Sequence, residues 1–307
     1  MPTLLAITPG LVGLLIAMVV IRLWPHSVPL VPRIRSVSAG VGLGLALTVE
    51  IVVLASGNWP FQSAGHPWPL EWLSGIPGDW QVAAPLLAAS IAVAFQAVPV
   101  PARPPSTTAV LTRRTPFAFA PKRWLITAGV LITVAAALAV AGGLASQPDE
   151  DGAFTMWVQD AGVGSVGRLI YGWAFSLPSV VLLSLLGAAT LLALLSVARP
   201  SIAEDAAGDQ AIRRSWSRTI LATTCGAVLI HVGGVLTFFA YTANLRTGVP
   251  LDDAIIPVFP PFAALAPLLI VLGVGAIIAG FVIWFRLFLE QMSIAAAVRH
   301  SDAGHAH

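Results

Sequence analysis

Glu50 and His231 are ionisable side chains set deep inside long apolar stretches, where chemistry needs a purpose-built surrounding. Glu50 stands fifteen residues after Arg35, and His231 stands thirteen after Arg218. At about 1.5 Å per helical residue, they lie roughly 22 and 20 Å from the arginine-bearing ends of their stretches. A charge at that depth in hydrocarbon costs several kcal/mol unless it is paired or hydrated, so such groups face protein or water. His231 shares a helix face with Thr224, Ala227 and Gly234, a small and semi-polar stripe suited to close packing. Two roles suit the pair. One is a carboxylate–imidazole site for a proton, a cation or a polar substrate group, and the other is a neutral hydrogen bond that locks two helices.

The remaining motifs carry less. Gly162, Gly164 and Gly167 spell G-x-G-x-x-G, but they precede an apolar stretch and follow no strand–helix unit that would cradle a dinucleotide, in a chain with 27 glycines. His300, His305 and His307 crowd a polar tail and suggest a disordered terminus rather than a metal site. A membrane haem takes two facing histidines, and His231 stands alone in the apolar stretches. No H-E-x-x-H, Walker or G-x-S-x-G pattern occurs. The single lysine, Lys122, lies at the edge of an apolar run, where a retinal Schiff base has no place. The sequence therefore names no catalytic residue, no metal ligand and no cofactor. Its one cysteine, Cys225, lies in an apolar stretch and excludes a disulfide framework.

The elements that position Glu50 and His231 follow from composition. The chain is 57% hydrophobic and 10% charged, where a soluble domain carries about 25% charged residues. Lipid solves that imbalance by acting as the solvent. Seven stretches are long and apolar enough to be spans: 4–23, 37–56, 82–100, 124–145, 169–198, 220–242 and 262–289. The expected fold class is all-α, a polytopic transmembrane helix bundle. Residues 1–293 form one membrane domain and 294–307 a disordered cytoplasmic tail. Gly40 with Gly44 in the second span, and Ala276 with Gly280 in the seventh, place small residues one turn apart for close helix packing. Pro178 removes a backbone donor and predicts a kink in the fifth span.

Charge orients the bundle. Of the 16 basic residues, all but Arg168 and Arg246 fall in alternate connections and at the C-terminal end of the seventh span. Basic residues stay in the cytoplasm, which places the N-terminus outside and the C-terminus inside, and requires an odd number of spans. The opposite loops are acidic, with Glu71, Asp79, Asp149, Glu150, Asp151, Asp160, Asp252 and Asp253. Segment 58–80 is rich in tryptophan and proline. Trp59, Trp68, Trp72 and Trp80, with His66, are expected to lie along the outer interface, since tryptophan prefers the headgroup level.

These features suggest a non-enzymatic integral protein of the cell (inner or plasma) membrane. It would be either a permease-like transport component or a packing partner within a larger complex. Its expected partners are the lipid bilayer and other membrane subunits, not nucleic acid. A membrane-embedded enzyme or redox subunit with an outer-face site, and a membrane sensor, are the alternatives. Sidedness is directly testable in a Cys225→Ala background. Ser63→Cys is expected to react with an impermeant thiol reagent in intact cells and Ser106→Cys to stay protected, and labelling of Ser106→Cys overturns the orientation.

Overall fold

The computed structural model describes residues 2–23, 33–55, 82–98, 115–160, 162, 164–198, 206–251 and 254–304. Seven helices dominate these residues: α1 (Pro2–Leu23), α2 (Arg33–Ala55), α3 (Ala84–Gln96), α4 (Lys122–Ala145), α5 (Trp173–Ala198), α6 (Ala206–Ala243) and α7 (Ala266–Gly304). The protein is an all-α membrane protein at this level. Five helices, α2, α4, α5, α6 and α7, are long and apolar enough to cross a bilayer, while α1 and α3 offer the shorter apolar stretches Thr8–Leu23 and Ala84–Gln96. Large apolar side chains point away from the bundle, among them Ile126, Leu144, Val181, Leu192 and Val271. Water would not tolerate such an extent of exposed apolar surface, and lipid does.

Several boundaries differ from the expectation. The third stretch yields 13 helical residues, roughly 20 Å of rise and short of a full crossing. Pro85 starts that helix, and Pro99 and Pro101 follow it in sequence; the residue before a proline is pushed out of the α region. Helix α6 begins at Ala206, fourteen residues earlier than its apolar pattern, because the polar lead-in closes on itself through an Arg213–Asp209 ion pair at 2.6 Å, four residues apart. Helix α7 runs on to Gly304, so helix occupies most of the segment expected to be a disordered tail. Pro178 lies in the second turn of α5, which remains a single helical segment through Ala198.

Short strands, absent from the all-α expectation, tie off the acidic end. β1 (Gln147–Pro148), β2 (Phe154–Asp160) and β3 (Ser165–Leu169) form an antiparallel sheet between α4 and α5. β4 (Thr247–Leu251) and β5 (Ala254–Val258) make a hairpin between α6 and α7. The turn into β2 is organised by Asp149. Its carboxylate accepts from the Asp151 and Ala153 amides at 3.0 and 2.9 Å and from the Thr155 hydroxyl at 2.6 Å. The Thr155 hydroxyl first, then the Ala153 amide, hold this carboxyl below the usual carboxylate range. The G-x-G-x-x-G residues belong to the next hairpin: Gly162 turns at φ +80 with its amide on Asp160 Oδ1, and Gly167 pairs with Val158 in the β2–β3 ladder.

Helix α6 is the centre. Of its apolar stretch 89% is buried, against 22% in α4 and 28% in α7. It packs most extensively on α7 and also meets α3, α4 and α5, while α7 carries α1 and α2 on its other faces. The α6–α7 seam is bare backbone. A Cβ on Gly233 would stand 2.5 Å from the Gly273 carbonyl oxygen, and one on Gly280 would stand 2.6 Å from that of Gly226. The glycines recur seven residues apart on each helix and run antiparallel, which fits a left-handed helix pair. Gly233→Ala is therefore expected to destabilise the fold by about 1–3 kcal/mol, because the obstruction is backbone and cannot rotate aside. Gly187→Ala in α5, with nothing within 4 Å of its added carbon, is expected to be neutral or slightly stabilising. Unfolding of the two variants in mixed detergent–SDS micelles checks this; equal costs would remove the seam from its central role.

Candidate functional site

Glu50 and His231 both face the protein interior, each 2% exposed. Glu50 continues the buried stripe of α2 that runs through Ala39, Leu43, Ala46 and Leu47. Gly42 on that helix lies against Ala92 and Phe95 of α3, while Gly40 and Gly44 lie against Met292 and Phe288 of α7. At about 100° per residue, Glu50 falls between these two faces, toward the wedge where α3 and α7 converge on α6. Its Oε1 is buried and has no hydrogen-bond partner among the described residues.

His231 is held differently. Its Nδ1 lies 2.8 Å from the Val82 carbonyl oxygen, just ahead of α3. A carbonyl only accepts, so Nδ1 carries the proton and the neutral ring keeps Nε2 as its acceptor. The ring meets Tyr171 edge-on at 6.2 Å, and Tyr171 in turn packs with Phe175, Phe238 and Phe239. Room for this aromatic group comes from Gly142 on α4, where a Cβ would strike the Tyr171 carbonyl.

The two residues are therefore not joined. Among the described residues no hydrogen bond or ion pair links Glu50 to His231, and the proton on Nδ1 is committed to Val82. The cause is helix order: α2 packs chiefly on α3 and α7, whereas His231 projects from α6 toward the start of α3 and the β3–α5 junction.

Other sequence candidates are placed as follows. Gly40 and Gly44 sit 3.4 Å from Met292 Sδ and 3.3 Å from the Phe288 ring when a Cβ is added, an ordinary to tight contact with α7. Gly280 meets Gly226 in the central seam, with Gly273 as its counterpart seven residues earlier; Ala276 is half-buried. Trp59, His66, Trp68, Trp72 and Trp80 lie outside the described residues, as do His305 and His307. Among the described residues no three His, Cys, Asp or Glu side chains gather as a metal site.

A set of polar pins on α6 escaped the sequence reading. The Thr223 hydroxyl accepts from Gln96 Nε2 at 2.9 Å, and the Thr223 carbonyl accepts from Trp284 Nε1 at 2.9 Å. Trp216 Nε1 donates to the Gln96 carbonyl at 3.1 Å, and Thr224 shares a 2.8 Å bond with Thr190 of α5. Threonine and glutamine within an apolar run give no signal of their own. Of these residues the sequence singled out only Thr224, on the face it shares with His231.

No protein family, curated protein or solved structure matches this chain.

Because Glu50 and His231 share neither a hydrogen bond nor a hydrogen-bond partner among the described residues, their contributions to stability are expected to add. In a cycle of Glu50→Leu, His231→Leu and the double change, the coupling is expected to stay below about 0.5 kcal/mol. A recovery in the double variant well above that value would show that the two side chains meet.

Proposed function

We propose that this chain is a non-enzymatic transport component of the cytoplasmic membrane, with seven crossings and an external N-terminus, in which Glu50 binds a proton or a small cation. The observation that carries the reading is the Glu50 carboxyl itself: 2% exposed, in the last third of α2, with a buried oxygen that no described residue satisfies. A lipid-embedded fold has every reason to discard such a group, since an orphaned polar atom at low dielectric is costly. Its retention at a convergence of three helices suits a residue that alternates between neutral and ligand-bound states. His231, fixed on Val82, then serves as a structural brace and not as the proton acceptor.

The seven crossings rest on the alternation of basic residues between connections. They count the short helix α3 as one of the seven.

Purified protein in proteoliposomes, loaded with a pH- or cation-sensitive dye, tests the reading. The wild type is expected to move protons, sodium or potassium faster than protein-free vesicles do. Glu50→Gln, which keeps the shape and loses the charge, is expected to lose most of that flux, and His231→Gln to retain it. Wild-type flux equal to that of empty vesicles, or an unchanged Glu50→Gln protein, would remove transport through Glu50 from consideration.

A further inference from the structure

At the opposite end of the bundle from the strands, two guanidinium groups are buried. Arg35, in the first turn of α2, is 3% exposed, and Arg213 on α6 is fully buried. Arg35 lies over Trp216, which follows Arg213 by three residues on α6. Arg213 is provided for: its Nε donates to Asp209, its Nη1 to the Val197 carbonyl, and its plane faces the Phe119 ring. Arg35 is not. It rests over the Trp216 ring at 5.3 Å, and its buried Nε and Nη1 have no hydrogen-bond partner among the described residues. Cation–π attraction offsets part of the desolvation of a guanidinium but satisfies none of its donors.

The surroundings of Arg35 are unsatisfied in the same way. Ser36, next to it on α2, and Ser217, next to Trp216 on α6, are buried with hydroxyls that have no partner among the described residues. Gln291 on α7, which lies against Gly40 one turn further along α2, also has an unpartnered buried amide oxygen. A half-turn of that amide would present its NH2 instead. Charge points the same way. Asp209 neutralises one of the two arginines, and nearby Glu290 is already shared by Arg218 and Arg286 at 3.6 and 2.8 Å. Among the described residues, one positive charge with a planar donor fork is left over, with the unpartnered Ser36 and Ser217 hydroxyls adjacent in sequence to Arg35 and to Trp216.

We infer that Arg35, with Ser36 and Ser217, forms the receiving end of a binding site for a phosphate-type oxyanion of single net charge. A guanidinium fork pairs with two oxygens of such a group at once, and serine hydroxyls donate to the others. Two sources share this chemistry. Arg35 stands at the start of a membrane-crossing helix, the level at which lipid phosphodiesters lie, and a free phosphate can reach the same end from the aqueous side. The site does not depend on the role given to Glu50.

The test is thermal unfolding of the intact chain in nanodiscs of phosphatidylcholine. One arm adds phosphatidylglycerol, and the other adds inorganic phosphate against chloride of equal ionic strength. A saturable rise in Tm is expected in at least one arm. Half-saturation is expected to weaken by about tenfold or more in Arg35→Gln, the size of one lost charge-assisted interaction. It is expected to weaken less in Ser217→Ala and to stay unchanged for the exposed Arg22→Gln. A response to phosphatidylglycerol alone assigns the site to a lipid headgroup, and a response to phosphate as well assigns it to a soluble oxyanion. Should Arg35→Gln fail to fold, Arg35→Lys and Ser217→Ala carry the comparison, because lysine keeps the charge without the fork. No saturable response in the wild type, or the same half-saturation in the wild type and in every foldable Arg35 and Ser217 variant, overturns the site.

Discussion

Backbone meeting backbone along α6 and α7 is the constraint from which the rest of the bundle follows. Helices in lipid gain no hydrophobic advantage by touching, because acyl chains are as apolar as leucine. Association must come from close van der Waals approach and from polar groups with nowhere else to go. Gly226 and Gly233 against Gly280 and Gly273 supply the first. Once α7 is seated at that distance, its outer faces present the surfaces on which α1 and α2 pack. Gly13 of α1, for example, lies against Phe281.

The second force acts on the other sides of α6. Thr190, Gln96, Trp284 and the Val82 carbonyl each bring a different part of the chain to a hydrogen bond on this one helix. Thr242 adds a 2.8 Å bond to the Leu169 carbonyl at the strand end. Each such bond is modest in a membrane, about 0.6 kcal/mol on average, so their value lies in register more than in strength. They fix the rotation of α6, and with it the direction of every other group on the helix. Glu50 Oε1 and the Nε and Nη1 of Arg35 are among the buried polar atoms that find no hydrogen-bond partner among the described residues, as are the Tyr171 and Ser176 hydroxyls.

The class of fold was legible because lipid imposes it residue by residue: long apolar runs, few charges, and arginines gathered in alternate connections. The long helices were found where hydropathy placed them, and their ends moved where polar residues extend a helix, as Asp209 and Arg213 do for α6. The strands were missed because they lie in short polar connections where alternation spans only five to seven residues, as in Phe154–Asp160. Depth along a span was legible for Glu50 and His231; angular position around the bundle was not, since that depends on which helices neighbour which. The glycine seam left a trace, a seven-residue repeat on two separate spans, but the eye falls first on four-residue spacings such as Gly40–Gly44. Arg35 was counted as an orientation anchor, a role that says nothing of whether its side chain is buried.

The position of α6 in the chain has a consequence for biosynthesis. The helix leaves the ribosome after α3, α4 and α5, so Gln96, Val82 and Thr190 are already in the membrane to receive their bonds as it inserts. Its glycine seam and the Thr223 carbonyl have to wait, because Gly273, Gly280 and Trp284 are still being translated. During that interval the nascent protein carries a helix that is half docked, with its closest-packing face open to lipid or to the insertion machinery. Translation of α7 closes that face, and α1, the first helix made, finds its main packing surface only when the last has arrived, whereas α2 can already pack on α3.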